Sequence, residues 1–467
     1  MMRVIFAAGC SVSLLACVVD DSSTLDSEVN TERAQLIAST RASIATRGVT
    51  AIPDPPFVRQ TLVDLGQALA FDKILSGNRE LSCMTCHPPQ FGSDDDRQLS
   101  LGVTGVGVAV TRTGNFALGE EGRNAPPLFN MHVMHEIFWD GRVEQLADGS
   151  FNTPAGSALT PEMIAVAEFG AISMQPLFPV TSRDEMRGFG TENELAAIPD
   201  GQFQQIWAAE MARLGAIPQY RAMFEAAYPG TRFDDMNFEH AANAIAGFFV
   251  ARFAANLSPW DAFLLGKDDA LSTEELRGAE VFMRTCVNCH GGSMGSDQLF
   301  HNTALAQFGP GPRSGGSGPS GRDDFGRERV TGDPADRYRF RTTPLRNVQA
   351  TGPFGHLGEI VELEAFVRHY SVRLEGKIPI GNPPGPAQNL REYDVTQIED
   401  RLEPTLLDNT NDILANIDPL FRNGSPIQPD FVAPISAFMR TNTDKDSLKR
   451  MQHVTPASVP SGLPVGD

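Results

Sequence analysis

The chain has 467 residues, 41% hydrophobic and 21% charged. That is the composition of a soluble protein with two or three domains, and it excludes a bundle of membrane spans. The formal net charge of −20 argues against nucleic acid and suits a small basic partner drawn in by the field, although an acidic surface also serves solubility alone.

In chain order, Arg3 precedes an apolar run from Val4 to Val19, ended by Asp20. The run is short for a bilayer span and has signal-peptide character. Leu14-Leu15-Ala16-Cys17 resembles the bacterial lipoprotein signal, in which cleavage precedes a cysteine that then takes lipid. On that reading residues 1–16 leave, Cys17 is lipidated, and the protein faces the periplasm in the bacterial cell envelope, at the outer membrane rather than the inner. The competing reading is an ordinary secretory signal cut nearby. Residues 17–45 are polar and acidic and read as a tether. The first domain is expected over 46–267. A helix over 238–257 closes it, with Ala241, Ala242, Ile245, Phe248, Phe249 and Phe253 at helical spacing. The second domain, 268–448, opens on the capping box Ser272-Thr273-Glu274-Glu275, whose helix runs into Cys286. Residues 302–327 and 377–388 are crowded with Gly and Pro and read as irregular loops. Residues 449–467 read as a flexible tail.

Two pentapeptides stand out in this frame: Cys83-Met84-Thr85-Cys86-His87 and Cys286-Val287-Asn288-Cys289-His290. Cys-x-x-Cys-His is the attachment signature of haem c, with two thiols for the vinyl groups and a histidine for the iron. Two copies about 200 residues apart imply two haems in two domains. A zinc site from all four cysteines, or a redox dithiol, is the competing reading, but the first prefers closely spaced pairs and the second leaves the histidines unexplained. The remaining cysteines, Cys10 and Cys17, fall in the signal and at its cleavage point, so none is left for a disulfide. Gly66, Ala68, Leu69 and Phe71 before the first motif echo Gly278, Ala279 and Phe282 before the second, a weak internal repeat. The expected fold is mainly α: two cytochrome c-like haem domains joined by a short linker, with long irregular loops.

Further landmarks carry a resemblance. They are Leu65-Gly66, Phe71-Asp72, Leu75-Ser76, Arg123-Asn124-Ala125-Pro126, Phe138-Trp139-Asp140-Gly141-Arg142, Leu345-Arg346-Asn347-Val348 and Thr351-Gly352-Pro353. With the two haem motifs, they make residues 60–370 resemble the bacterial di-haem cytochrome c peroxidase and MauG family. The resemblance implies that His87 serves the peroxidatic haem. Many members carry a blocking histidine soon after the first motif; the matching stretch Leu101–Gly105 has none, and none occurs between His87 and His132. An open distal side is therefore expected. Glu185 matches the family's acid/base and Gln175, ten positions earlier, its glutamine partner; Pro179 would wall the pocket. A surface acid is the competing reading for Glu185. Trp139 would lie between the haems. About two dozen extra residues separate Trp139 from Gln175.

The resemblance also places a second axial ligand nineteen residues past Thr351, where this chain has Tyr370 rather than methionine. Leu363, Phe366, Val367 and Tyr370 share one helical face. An anionic oxygen ligand would favour oxidised iron and lower the potential. The competing ligands are His369 and Met294. A calcium ion between the domains is implied at Asn124, Thr351 and Pro353. The implied activity is reduction of hydrogen peroxide with electrons from a small cytochrome c or cupredoxin. The alternatives are a MauG-like oxidase acting on a protein or organic substrate, and a di-haem electron relay without enzyme activity.

Overall fold

The computed structural model describes residues 22–312, 316–370, 399, 401–420 and 427–466. The signal segment, Cys17 and the loop expected over 377–388 lie outside them. With 46% helix and 5% strand, the fold is mainly α, as the sequence predicts. No helix among the described residues is long and apolar enough to cross a membrane. The helices that build the cores are α1 (Ser22–Arg47), α2 (Gln60–Phe71), α3 (Phe203–Gly215), α4 (Pro218–Ala227), α5 (Phe238–Arg252), α6 (Pro259–Leu264), α7 (Thr273–Thr285), α8 (Leu363–His369), α9 (Val432–Arg440) and α10 (Lys445–Met451).

Helices α2 and α5 cross at the centre of the first core. Residues Phe238 to Val250 of α5 are all buried, because they are mostly apolar or small around the whole helix. Gly66 allows the close crossing: a Cβ there would lie 1.8 Å from the Ala244 carbonyl oxygen and 2.9 Å from Phe248 Cβ. The second core repeats the device where α7 meets α9. A Cβ on Gly278 would lie 1.9 Å from the Pro434 carbonyl oxygen and 2.9 Å from Phe438 Cβ. Each crossing involves the helix that leads to a Cys-x-x-Cys-His segment. The weak repeat in the sequence is thus a repeat of helix packing. The capping box of α7 is formed: Glu275 N–H donates to Ser272 Oγ (3.3 Å) and Ser272 N–H to Glu275 Oε2 (2.6 Å).

Three boundaries differ from expectation. Trp260 and Phe263 of α6 pack in the second core, Trp260 edge-on to Phe438 at 4.9 Å, so the domains divide before Pro259 rather than after Lys267. The supposed tether is mostly α1, which lies on the second core. Its narrow apolar stripe of Leu36, Ile37 and Ile44 was hidden by charged neighbours, and those charges also bind: Arg33 donates to the Leu271 carbonyl (2.8 Å) and Arg277 pairs with Glu32 (2.8 Å). The supposed flexible tail packs on the first core. Val454 and Val459 are buried there, Gln67 donates to the Val454 carbonyl (2.7 Å), and Ser461 Oγ donates to Asp72 (2.6 Å). Each end of the described chain therefore completes the domain built mainly from the other half.

Among the described residues, strand is confined to two small antiparallel sheets. One, β1 (Glu136–Ile137), β2 (Val143–Gln145) and β3 (Phe151–Asn152), reaches into the insertion after Trp139. The other pairs β4 (Phe300–His301) with β5 (Phe340–Arg341). The described part of 302–327 carries no helix or regular strand, as its Gly and Pro content predicts.

Candidate functional site

Each Cys-x-x-Cys-His segment opens on its own cavity. The first, about 920 Å³, is lined by Cys83, Cys86 and His87; the second, about 660 Å³, by Cys286, Cys289 and His290. Both volumes suit a bound cofactor. The four thiols line two separate cavities, so they do not form one zinc site.

Local structure aims these groups. Cys83–Cys86 is a single helical turn capped reciprocally by Ser82 and Thr85. Cys286 ends α7. His87 Nδ1 lies 3.0 Å from the Ser93 carbonyl and His290 Nδ1 lies 2.9 Å from the Gly295 carbonyl. A carbonyl only accepts, so Nδ1 carries the proton in both rings and Nε2 keeps a free lone pair. Burial lowers the pKa of both histidines, which keeps them neutral and able to ligate. Burial also pushes the Cys83 thiol up to about 12 and Cys286 up to about 11. Paired neutral thiols beside a neutral imidazole in a cofactor-sized cavity are the donor set that haem c requires.

Gln175, Pro179 and Glu185 all reach the first cavity. They come from three consecutive turns, Gln175–Leu177, Pro179–Thr181 and Arg183–Arg187. Burial raises the Glu185 carboxyl above its ordinary value, and Arg142 pulls it the other way. Arg142 is itself fixed, 3.7 Å over the Phe138 ring and 3.3 Å from Asp140. The stretch at 101–105 packs on the backbone of the Glu185 turn: Val103 N–H donates to the Asp184 carbonyl (2.9 Å), and a Cβ on Gly102 would lie 2.2 Å from that oxygen. Among the described residues, His87 is the one histidine in this cavity's lining.

Trp139 lines both cavities, with Asn124, Pro127 and Arg341. Its Nε1 donates to the Asn124 carbonyl at 2.9 Å. The wall is clamped by Arg123, which meets Asp140 at 2.7 Å and Asp324 of the second domain at 2.7 Å. Burial would raise Asp140, but Arg123 and Arg142 outweigh it and hold the carboxyl well below the usual range.

Tyr370 lines the second cavity with Leu363, Phe366 and Val367, the face that the helical spacing predicts. His369 does not line it; its Nε2 lies 2.8 Å from the Thr303 carbonyl. Met294 is also absent from the lining and packs in the first core. Burial raises the Tyr370 phenol, as do the nearby Cys286 and Cys289 sulfurs. Asn124, Thr351 and Pro353 lie together in the lining of this cavity. His301 also lines it. Its Nε2 meets Asp297 (3.0 Å) and its Nδ1 meets Asp418 (2.8 Å). Burial would lower its pKa, yet the two carboxylates lift it to about 11, so the ring is an imidazolium. Both nitrogens are taken, so His301 offers no lone pair to a metal in its cluster with Cys289 and Asp297. Arg341 was missed as well, and no short-range spacing marks either residue.

Comparison with known proteins agrees with this geometry. The family model "Di-haem cytochrome c peroxidase" matches residues 60–269. The chain is 28% identical to the cytochrome-c peroxidase IdrP2 of Denitromonas iodatirespirans, over 69% of this chain and 76% of that one. It is 27% identical to the methylamine utilization protein MauG of Methylorubrum extorquens, over 66% of this chain and 68% of that one. A crystal structure of a MauG-like protein associated with microbial copper homeostasis superposes with a TM-score of 0.57 at 24% identity, covering 85% of this chain and 95% of that one. The second Cys-x-x-Cys-His motif lies beyond the matched segment, though Asn124, Pro127 and Trp139 of that segment line its cavity. The chain thus resembles the di-haem cytochrome c peroxidases and the MauG proteins, a likeness that implies covalently bound haem c.

Proposed function

We propose that the protein reduces hydrogen peroxide to water at the first cavity, with electrons entering through the second. The observation that carries this reading is the convergence of Gln175, Pro179 and Glu185 on the cavity of His87, with Trp139 in the wall of both cavities. Haem c would be held by the paired thiols and by His87 or His290, and would supply one-electron chemistry and a site for peroxide. Gln175 orients the peroxide through its side-chain amide. Glu185 takes a proton from one peroxide oxygen and delivers it to the other. Its raised pKa suits both halves of that transfer. Pro179 walls the pocket, and the Trp139 ring bridges the two sites for electrons. The external donor is a small cytochrome c or cupredoxin drawn to the acidic surface.

Tyr370 supports a second reading, a MauG-like oxidase in which the second site stores oxidising equivalents taken from a protein or organic substrate. A phenolate oxygen on His290's iron would stabilise its oxidised form. Asn124, Thr351 and Pro353 supply the amide and carbonyl oxygens that calcium favours, and we assign them to such an ion. We further propose, on the sequence of the first 17 residues alone, that the protein faces the periplasm in the cell envelope with Cys17 lipidated after removal of residues 1–16. Glu185→Gln tests the main reading. Peroxide turnover should fall by about 10²–10⁴-fold with both haems still attached. Normal turnover in that variant would sink it.

A further inference from the structure

Tyr338 lines the second cavity, yet nothing in the proposed chemistry uses it. It is buried, and among the described tyrosines only it and Tyr370 reach either cavity. Its backbone sits at φ 58°, a left-handed conformation that a bulky residue takes only when its surroundings enforce it. Its ring meets Phe325 edge-on at 5.3 Å. Two carboxylates converge on its one hydroxyl: Asp412 Oδ2 at 2.9 Å and Asp323 Oδ2 at 3.3 Å. A phenol has a single proton to donate, so mere satisfaction of a buried tyrosine needs one acceptor rather than two. Asp412 is the outward member of the group. Its side chain is 44% exposed, and Arg337 Nη1 lies 3.5 Å from the same oxygen. The arrangement runs from the cofactor cavity, through a phenol, to a carboxylate at the surface.

A phenol gives up an electron far more readily when a base already holds its proton by a hydrogen bond. We infer that Tyr338 is a redox-active relay for the second cofactor, with Asp412 as its proton acceptor. The inference rests on the proposed peroxide chemistry, which supplies the oxidant. In the forward step Tyr338 gives one electron to the oxidised second cofactor, the O–H bond breaks, and the proton passes to Asp412. A neutral tyrosyl radical remains. In the return step a one-electron donor at the Asp412 edge reduces the radical, and the proton moves back to the phenolic oxygen. The donor needs to bring no proton, so a redox protein or a small organic one-electron reductant satisfies the balance.

The test uses the holoprotein with both haems attached and tyrosine deuterated on the ring. Stoichiometric hydrogen peroxide is added, and samples are freeze-quenched for paramagnetic resonance and optical spectra. The wild type should show a radical whose signal narrows on deuteration. Tyr338→Phe, which keeps the ring and its packing, should lose that signal. Asp412→Asn should cut its yield at least tenfold while leaving the ring in place, and it decides the matter if Tyr338→Phe does not fold. If peroxide changes the haem spectrum but the radical is missing, or is unchanged in the variants, the relay fails alone. If peroxide leaves the wild-type haem spectrum untouched, the peroxidase reading fails and the relay falls with it.

Discussion

Burial pushes the Glu185 carboxyl up even with Arg142 beside it. Its protonated form therefore favours the fold below about pH 4.5, and that contribution is lost as the pH rises through the folded value. Once ionised, the buried group works against stability. Glu185→Gln should accordingly melt no lower than wild type at pH 7 while losing turnover, and the acid limb of the wild-type pH–rate profile should lie above pH 4.5 and vanish in the variant. A variant that melts lower would place Glu185 among the structural acids. Tyr370 is testable by spectroscopy. Tyr370→Met should raise the potential of the second haem and change its low-spin signals, whereas a core tyrosine would leave both unmoved. At this scale the sequence was legible wherever chemistry demands fixed spacing. The two pentapeptides are the example, whereas the Gln175–Glu185 pair was reached only through the family resemblance; the structure puts the pentapeptides at two cavities and the pair at the first. It was silent on His301, whose partner Asp418 is 117 residues away, and on Tyr338, whose carboxylates come from separate segments.

At the scale of elements, the two glycine crossings set how closely the haem-bearing helices pack. The oxygen that a Cβ at Gly278 would strike belongs to helix backbone, which cannot swing aside. Gly278→Ala should destabilise the second core by about 1–3 kcal/mol, the usual cost of overpacking, and outweigh any gain in helix propensity. Chemical denaturation would measure it, and a neutral or stabilising result would mean that the helices separate freely. The same substitution at Gly66 should act on the first core in the same way. The capping box of α7 was readable because its partners are three residues apart. Helix α1 was not, because its apolar stripe is narrow and its charged residues pair across the interface instead of facing water.

Over the whole molecule, two expected appendages proved to be parts of the packing. Val454, Val459 and Ser461 sit against the first core, and Asp72 accepts from Ser461 while also accepting from Tyr220 at 2.7 Å. Removing residues 452–467 should lower the melting of the first domain by several degrees, since a loss of about 2–4 kcal/mol is expected when two buried valines and their half-buried hydrogen bonds go. Unchanged melting would make that packing superficial. Composition could not reveal this, because a Pro- and Gly-bearing segment reads the same whether it dangles or lies along a surface. The exchange of ends has a consequence for assembly. Gln67 and Asp72 wait for partners 387 and 389 residues later in the chain. During synthesis the first domain stays unfinished after Cys83 and Cys86 have emerged, because the segment that packs on its core is still to come. Closure of the first core therefore waits until the second thiol pair, Cys286 and Cys289, has also been made.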